Sequence, residues 1–205
     1  MSAPTERRIA IASGNLSLEA AIHDGAGRLA AVVLHPHPRY GGDMDNHVVT
    51  AIAEALAARG ASTLRFNFRG VGRSQGSFDG GPGEAADARA AIAALREAAP
   101  GAALLLAGYS FGAMIAASVA LDVASSALLL VSPPVGMGAL PPIDTETPAL
   151  IIAGDRDQFA PATAIRALAG GRCRAAVVEG VDHGWSSGVN LLVDEIDTFV
   201  DSLLS

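Results

Sequence analysis

The sequence predicts an α/β fold, with a mostly parallel, twisted sheet covered by helices on both faces in a single domain over residues 1–205. Three observations lead to this prediction. Short apolar runs alternate along the chain with longer segments of helical periodicity, and half of the residues are hydrophobic (50%). Several of the short runs, such as residues 29–35 (LAAVVLH), are almost entirely apolar. Such runs are typical of strands buried on both faces, as in parallel sheets.

The predicted strands are bounded by turn signals. The first two are joined at Gly14 and Asn15, which favour a hairpin turn. Pro36 and Pro38 end the third strand, because proline lacks the N–H that a central strand requires. Later strands alternate with helices, which is the pattern of parallel crossover units. The predicted strands are 7–13, 16–23, 29–35, 62–68, 102–107, 127–131, 148–153 and 174–179.

The predicted helices carry recognisable start and stop signals. In the first helix, apolar residues recur every four positions from Val48, and Asp43, Asp45 or Asn46 can cap its start. Gly60 follows its end and is a common helix terminator. The Gly-rich stretch 70–83 lacks the pattern of a phosphate-binding loop and is interpreted as a connection. The predicted helices are 47–59, 84–99, 111–122, 161–169 and 188–204.

Charge and composition exclude several classes of partner. The net charge is −7 and there is no cluster of Lys and Arg, so we expect no nucleic-acid partner. No apolar stretch reaches the roughly 18 residues that span a bilayer, and no apolar segment of a signal peptide follows residues 1–8. We therefore expect no membrane association and a cytoplasmic location. The single cysteine, Cys173, cannot form an internal disulfide.

Residues 108–112, GYSFG, match the pattern G-x-S-x-G between a buried strand and a helix. In this setting a sharp strand-to-helix turn exposes the serine hydroxyl, and the flanking glycines leave room for the close approach of strand and helix. We therefore predict that Ser110 is a nucleophile. At the start of a helix, the backbone N–H of Phe111 is available to stabilise an oxyanion.

A serine nucleophile needs a base and a carboxylate that orients the base. His183 is the only histidine after Ser110, and it follows the last predicted strand. Asp155 and Asp157 both follow the strand before that one. We favour Asp157, because residues 154–161 have the pattern G-x-x-D-x-x-x-P, whereas Asp155 can cap the turn. Asp182 is a weaker candidate, because it adjoins His183 in sequence.

A second oxyanion donor is expected in the loop after the third strand. That loop begins His35-Pro36-His37-Pro38, and only His37 of the Pro-His-Pro run has a backbone N–H. The flanking prolines restrict its backbone, which suits a preorganised donor. Alternatively, His35 and His37 bind a metal or simply pack. No further ligands at metal-binding spacing accompany them, so we expect no metal and no cofactor.

Five segments together resemble the α/β-hydrolase superfamily, and specifically its small, lidless bacterial members of the dienelactone-hydrolase and esterase type. The resemblance implies an α/β-hydrolase fold, with Ser110 as nucleophile, Asp157 as acid, His183 as base, and the N–H groups of His37 and Phe111 as oxyanion hole. The segments are 35–49, 65–84, 108–113, 154–161 and 182–185.

The chain departs from these relatives in two ways. Dienelactone hydrolases use a cysteine nucleophile, but position 110 is a serine. Many superfamily members also carry a helical lid, whereas only residues 132–147 occupy that place here. This segment is too short for a cap domain, so we expect an open site that does not enclose a long acyl chain.

The predicted function is hydrolysis of a small-molecule carboxylic ester or thioester with a small acyl group. The alternatives are a peptidase or amidase that uses the same three residues, and a non-catalytic binding protein of the same fold. Tyr40 and Trp185 are candidate aromatic walls of the pocket, because each is in a loop at the same end of the sheet; the alternative for both is ordinary packing. Residues 133–135 are either an exposed apolar patch that mediates a homodimer or simply a Pro-rich loop.

Overall fold

The computed structural model describes residues 6–205, which form one eight-stranded sheet. The order of the strands across the sheet is β1-β2-β4-β3-β5-β6-β7-β8. β1 and β2 are antiparallel to their neighbours, and β3 to β8 are parallel. The strands are β1 (Arg7–Ser13), β2 (Leu16–His23), β3 (Leu29–Leu34), β4 (Ser62–Phe66), β5 (Ala103–Tyr109), β6 (Ala127–Val131), β7 (Ala149–Gly154) and β8 (Cys173–Val178). The predicted fold class is therefore confirmed; residues 1–5 of the predicted domain lie outside the described residues.

Helices cover both faces of the sheet, as expected. Helices α1 and α5 pack on one face, where Ile52 and Ile196 belong to the same core cluster. The other three helices pack on the opposite face, where Ile92 and Ile115 share a second cluster. The helices are α1 (His47–Ala58), α2 (Pro82–Ala98), α3 (Phe111–Ala120), α4 (Ala162–Arg166) and α5 (Val189–Leu204).

Most elements differ from the prediction by one or more residues at an end, and two of these boundaries have identifiable reasons. Helix α2 begins at Pro82 rather than at residue 84, because proline suits the first helical position and the Glu84 carboxylate accepts the Gly81 N–H at 2.7 Å. Strand β5 continues to Tyr109 rather than ending at residue 107. Gly108 is paired with Leu34 on one side and with Leu130 on the other, so the sheet extends the strand.

Within residues 6–205, no cap domain covers the carboxyl edge of the parallel strands. Residues 132–148, between β6 and β7, contain neither helix nor strand. The fold therefore has no cap domain, and the loops that follow β3 to β8 meet at an open edge. Within residues 6–205, no helix is both long enough and apolar enough to cross a membrane.

His35 joins the ends of two central strands. It follows β3 and is fully buried, its Nδ1 lies 2.6 Å from the carbonyl oxygen of Pro36, and its Nε2 accepts the N–H of Phe68 at 3.0 Å. Both ring nitrogens are thus used within the fold, and the ring is held as the neutral tautomer with its proton on Nδ1. Burial lowers the pKa of His35 to about 4, and the hydrogen bond to Pro36 opposes this shift in part.

The buried His35 ring should make the protein sensitive to acid. Its pKa is about 4 in the folded chain against 6.5 for an unperturbed histidine, so the unfolded state binds more protons between these pH values. The stability from the neutral ring is complete above pH 6.5 and is lost as the pH falls toward 4. Between these limits the wild type should lose about 3 kcal/mol of unfolding free energy that the His35→Gln variant does not lose.

Urea unfolding at a series of pH values measures this difference. His47→Gln is the matched control, because His47 is exposed, and it should keep the wild-type pH dependence. An unchanged dependence in His35→Gln would assign the acid sensitivity to other groups.

Candidate active site

Ser110 occupies a strained turn between β5 and α3. Its φ of 55° and ψ of −117° lie outside the regions that residues with a side chain usually adopt. The turn requires glycine on both sides. A Cβ on Gly108 would lie 2.3 Å from the carbonyl oxygen of Gly112, and a Cβ on Gly112 would lie 2.3 Å from that of Leu34. The G-x-S-x-G pattern thus allows the close approach that points Ser110 away from the sheet.

A continuous chain of hydrogen bonds links Ser110, His183 and Asp157. The His183 Nε2 lies 3.0 Å from the Ser110 hydroxyl oxygen. The His183 Nδ1 lies 2.9 Å from both carboxylate oxygens of Asp157. With the proton on Nδ1, the ring donates to the carboxylate and accepts from the hydroxyl, which is the arrangement that activates a serine.

Asp157 is held as an ionised group in a buried position. Its side chain is fully buried, and its Oδ1 accepts the N–H groups of Phe159 and Ala160, each at 2.9 Å. Burial by itself would raise the pKa of Asp157, but hydrogen bonds from His183, Ser132 and the Ala160 N–H outweigh it and lower this pKa. The carboxylate is therefore charged at neutral pH and oriented by donors on several sides.

The other two candidate aspartates lie away from the imidazole. Asp155 is exposed and accepts the Gly180 N–H at 2.7 Å, so it joins the turns after β7 and β8. Asp182 is also exposed and accepts from the N–H and hydroxyl of Ser186. Of the three aspartates, only Asp157 hydrogen-bonds to the imidazole of His183.

His37 and Phe111 adjoin each other beside Ser110. Their ring centroids are 5.0 Å apart, because the start of α3 packs closely against the end of β3. Neither backbone N–H donates a hydrogen bond to another of residues 6–205. His37 also caps the short 3₁₀ helix Pro38–Tyr40, where its Nδ1 accepts the Arg39 N–H at 3.1 Å. Both N–H groups are thus available to a ligand at the open edge.

The two predicted aromatic walls have different environments. Tyr40, at the end of the 3₁₀ helix, is 87% exposed at the open edge. The prediction for Trp185 is wrong: this side chain is fully buried in the core beneath α5. Its indole N–H donates to the Ser132 hydroxyl at 3.0 Å, which draws the ring inward. Trp185 therefore does not line the open edge but contacts Ser132 from the core side.

Residues 133–135 do not form the exposed apolar patch that was one of the two expectations for this loop. Pro133 is buried, and Val135 packs partly buried against the core. Met137, two residues further along the same loop, is the exposed apolar side chain, at 75%.

Ser132 and Tyr109 are site residues that sequence reasoning missed. Ser132 directly follows β6, is fully buried, and helps to lower the pKa of Asp157. The Tyr109 hydroxyl donates to the His183 carbonyl oxygen at 2.6 Å, which fixes the loop that carries the imidazole. The position of Ser132 in the sequence was a usable signal. The adjacent strands β5, β6, β7 and β8 are followed by Ser110, Ser132, Asp157 and His183 respectively.

Backbone strain is confined to the same network. Among the non-glycine residues of the described chain, a positive φ occurs at Ser110, Ser132 and Trp185. Strained backbone persists where surrounding contacts enforce it, and it tends to cluster at functional sites. Within residues 6–205, no three His, Cys, Asp or Glu side chains are grouped so that they could hold a metal ion.

Fold and site together define an α/β hydrolase. The family model described as "Alpha/beta hydrolase domain" matches residues 30–191, and the chain belongs to this family.

Individual relatives agree with this assignment. A solved α/β serine hydrolase homologue from Coxiella burnetii is 34% identical, with a TM-score of 0.85 over 94% of this chain and 96% of that one. A structure from Xanthomonas campestris, described as an α/β serine hydrolase without lid, is 29% identical, with a TM-score of 0.88 over 96% of this chain and 94% of that one. An uncharacterized protein of Rickettsia prowazekii is 41% identical over 146 residues, or 67% of this chain, and the match spans 60% of that protein's length.

The Ser132 hydroxyl should help to keep Asp157 ionised. In Ser132→Ala we expect the pKa of Asp157 to rise, because the carboxylate loses a hydrogen-bond donor. We also expect the free energy of unfolding to fall by about 1–2 kcal/mol, because the Trp185 N–H loses its buried acceptor. Carboxyl ¹³C NMR titration and urea unfolding measure the two effects.

Ser186→Ala is the matched control for this variant. Ser186 is in the same loop as His183 but hydrogen-bonds to Asp182, so its removal should leave the Asp157 titration unchanged. Identical Asp157 titrations in both variants would show that Ser132 does not act on this carboxylate.

Proposed function

We propose that this protein is a serine hydrolase that cleaves a carboxylic ester or thioester with a small acyl group through an acyl-enzyme. The observation that carries the proposal is the unbroken hydrogen-bond chain from Ser110 through His183 to Asp157 at the open edge of the sheet. Membership of the α/β hydrolase family and the serine hydrolase relatives support the same reaction class.

The first half of the reaction acylates Ser110. Its hydroxyl oxygen attacks the ester carbonyl carbon while the His183 Nε2, 3.0 Å away, accepts the hydroxyl proton. The carbonyl electrons move onto its oxygen, which accepts hydrogen bonds from the N–H groups of His37 and Phe111. When this tetrahedral species collapses, the bond to the leaving group breaks. His183 returns the proton to the departing alcohol or thiol.

The second half repeats these steps with water. A water molecule attacks the acyl carbon as His183 takes one of its protons, and the same two N–H groups stabilise the oxyanion. Collapse then breaks the bond between the acyl carbon and the Ser110 oxygen, and the proton passes from His183 back to Ser110. The carboxylic acid leaves, and the enzyme returns to its starting state without any cofactor.

Asp157 supports both halves without losing its charge. Burial opposes ionisation, but the hydrogen bonds from His183, Ser132 and Ala160 keep its pKa low. The ionised carboxylate fixes the His183 ring in the tautomer with its proton on Nδ1, and it stabilises the imidazolium that forms during each attack. This role follows from the two contacts of 2.9 Å between Nδ1 and the carboxylate.

The open edge favours a small acyl group. A long acyl chain needs apolar walls that remove it from water, and these are commonly supplied by a lid or a deep cleft. Here residues 132–148 form a loop without a helix or strand. A short acyl group loses little by remaining partly solvated, so it suits this site better than a lipid chain.

An activated serine can be detected without knowledge of the substrate. A fluorophosphonate probe should label the wild type at Ser110, as found by peptide mapping, and Ser110→Ala should not be labelled. His183→Ala should react at least about 10³-fold more slowly, because the base is lost. His47→Ala, in which an exposed histidine outside this hydrogen-bond chain is removed, should react as the wild type does. Failure of the well-folded wild type to react would favour a non-catalytic binding protein.

The two neighbouring aspartates provide a matched test of the acid. With a short-chain ester such as 4-nitrophenyl acetate, Asp157→Asn should lower kcat by about 10³ to 10⁴-fold, because the imidazole loses its orienting anion. Asp155→Asn should stay within about twofold of the wild type, because Asp155 contacts the Gly180 N–H instead. Equal losses in the two variants would contradict the role given to Asp157.

A further inference from the structure

An unusual concentration of aromatic rings lies beside the proposed oxyanion hole. Phe, Trp and Tyr make up only 4% of the chain. Nevertheless, the ring of His37 has its centroid 4.8 Å from Tyr40, 4.8 Å from Phe78 and 5.0 Å from Phe111. Phe78 and Phe111 also contact each other, at 5.8 Å. We call the rings of His37, Tyr40, Phe78 and Phe111 the aromatic platform.

The platform is assembled by the order of strands in the sheet. Its residues come from three separate segments, which follow β3, β4 and β5, and these strands are neighbours in the order β4-β3-β5. The segments are far apart in sequence, so their rings meet only at the carboxyl edge. The platform is therefore a feature of the same edge that carries Ser110.

The loops that carry the platform are anchored. His37 and Tyr40 flank one 3₁₀ turn. Phe78 precedes Asp79, whose carboxylate accepts the Gly83 N–H at 2.8 Å, and Arg69 binds the buried Asp87 through contacts of 3.0 and 2.8 Å. A preformed surface of this kind loses little conformational entropy when a ligand binds.

The platform presents apolar rings to solvent. Tyr40 has the highest exposure, 87%, of the large hydrophobic side chains in the described chain, and Phe78 and Phe111 are only half-buried. Burial and the neighbouring Arg39 lower the pKa of His37, so this ring is an uncharged aromatic at neutral pH. Exposed rings in contact with one another offer faces and edges to a further ring.

The platform and the proposed oxyanion hole share two residues. His37 and Phe111 would each contribute a backbone N–H to the oxyanion and a side chain to the platform. A carbonyl oxygen held by those N–H groups brings its own substituents next to the rings. Aromatic pairs favour offset or edge-to-face contact beyond the area that they bury, so a planar ring gains more here than a saturated ring of similar size.

We propose that the aromatic platform binds a planar aromatic ring that the ester substrate carries close to its carbonyl group. This proposal rests on the proposed function and specifies its substrate class as aryl-substituted esters. The shared chemistry is the ring itself, which can belong to the acyl or to the alcohol part, and the experiment separates these two cases.

Matched pairs of esters provide the test. Benzyl acetate against cyclohexylmethyl acetate places the ring on the alcohol side, and methyl phenylacetate against methyl cyclohexylacetate places it on the acyl side. Within each pair the reacting bond is the same. The measured quantity is the ratio of kcat/KM, aromatic over saturated, in the wild type, Tyr40→Ala, Phe78→Leu and the control Leu121→Ala. Each ratio is divided by the ratio of the hydroxide-catalysed hydrolysis rates of the two esters, because phenyl withdraws electrons more strongly than cyclohexyl.

We expect the wild type to favour the aromatic ester by about threefold to tenfold in at least one pair. Tyr40→Ala and Phe78→Leu should each reduce that ratio, and the double variant should bring it close to one. Leu121→Ala should keep the wild-type ratio, because Leu121 is exposed beyond the end of α3, away from the site. Ratios near one in both pairs for the wild type, or a preference that survives in the double variant, would overturn the proposal.

Binding to Ser110→Ala separates this proposal from the proposed function. This variant lacks the nucleophile, so both members of the preferred pair can be titrated by NMR without turnover. Tighter binding of the aromatic ester, lost in Ser110→Ala/Tyr40→Ala, would support the platform even if the wild type hydrolyses no ester. Hydrolysis by the wild type with equal binding of the two esters would leave the hydrolase intact and reject the platform.

Discussion

The whole site depends on one steric constraint, the contact between the end of β5 and the start of α3. Gly108 allows this contact, because a Cβ there would lie 2.3 Å from the carbonyl oxygen of Gly112. Gly112 in turn lets α3 approach the end of β3, because a Cβ on Gly112 would lie 2.3 Å from the carbonyl oxygen of Leu34. The close approach forces Ser110 into its strained conformation and leaves the Phe111 N–H at a helix start. It also presses α3 against the end of β3, which brings His37 beside Phe111. A single local constraint thus positions both the hydroxyl and the neighbouring N–H donors.

A second layer of contacts keeps the imidazole in place. Hydrogen bonds join Asp157 to His183 and His183 to Ser110. Behind them the Trp185 N–H donates to the hydroxyl of Ser132, a residue that helps to lower the pKa of Asp157. Ser110, Ser132, Asp157 and His183 follow four adjacent strands. Trp185, Ser132 and Asp157 are buried, so solvent competes little with their hydrogen bonds. Ser110, Ser132 and Trp185, the non-glycine residues with a positive φ in the described chain, all belong to this group of residues. The residues that support His183 are therefore buried, whereas Ser110 lies at the open carboxyl edge of the sheet.

The open carboxyl edge has consequences for recognition. No cap lies over the carboxyl edge in residues 6–205, so the surfaces available there for recognition are those of the loops that follow the strands. Tyr40 and Met137 are the two most exposed large hydrophobic side chains of the described residues, at 87% and 75%. They belong to loops after β3 and β6, the strands on either side of β5. Apolar contact is therefore offered on both sides of Ser110.

Most of the fold could be predicted from the sequence, because strands and helices have distinct periodicities and the central strands are apolar throughout. The glycine spacing around Ser110 was also informative, since a close backbone contact restricts side chains at fixed positions. The errors fell where distant partners decide the outcome. Gly108 remains in β5 because Leu34 and Leu130 pair with it from other parts of the chain.

The sequence alone therefore determined the class of fold, the strained turn at Ser110 and the presence of one downstream histidine, because each is written in local pattern. Only the tertiary structure decided which aspartate contacts His183, since Asp155 and Asp157 follow the same strand and differ in the direction of their side chains. It also decided that Trp185 lies in the core and Phe78 beside the site. Such outcomes depend on which strands are neighbours, and contacts between residues far apart in sequence leave no periodic signal.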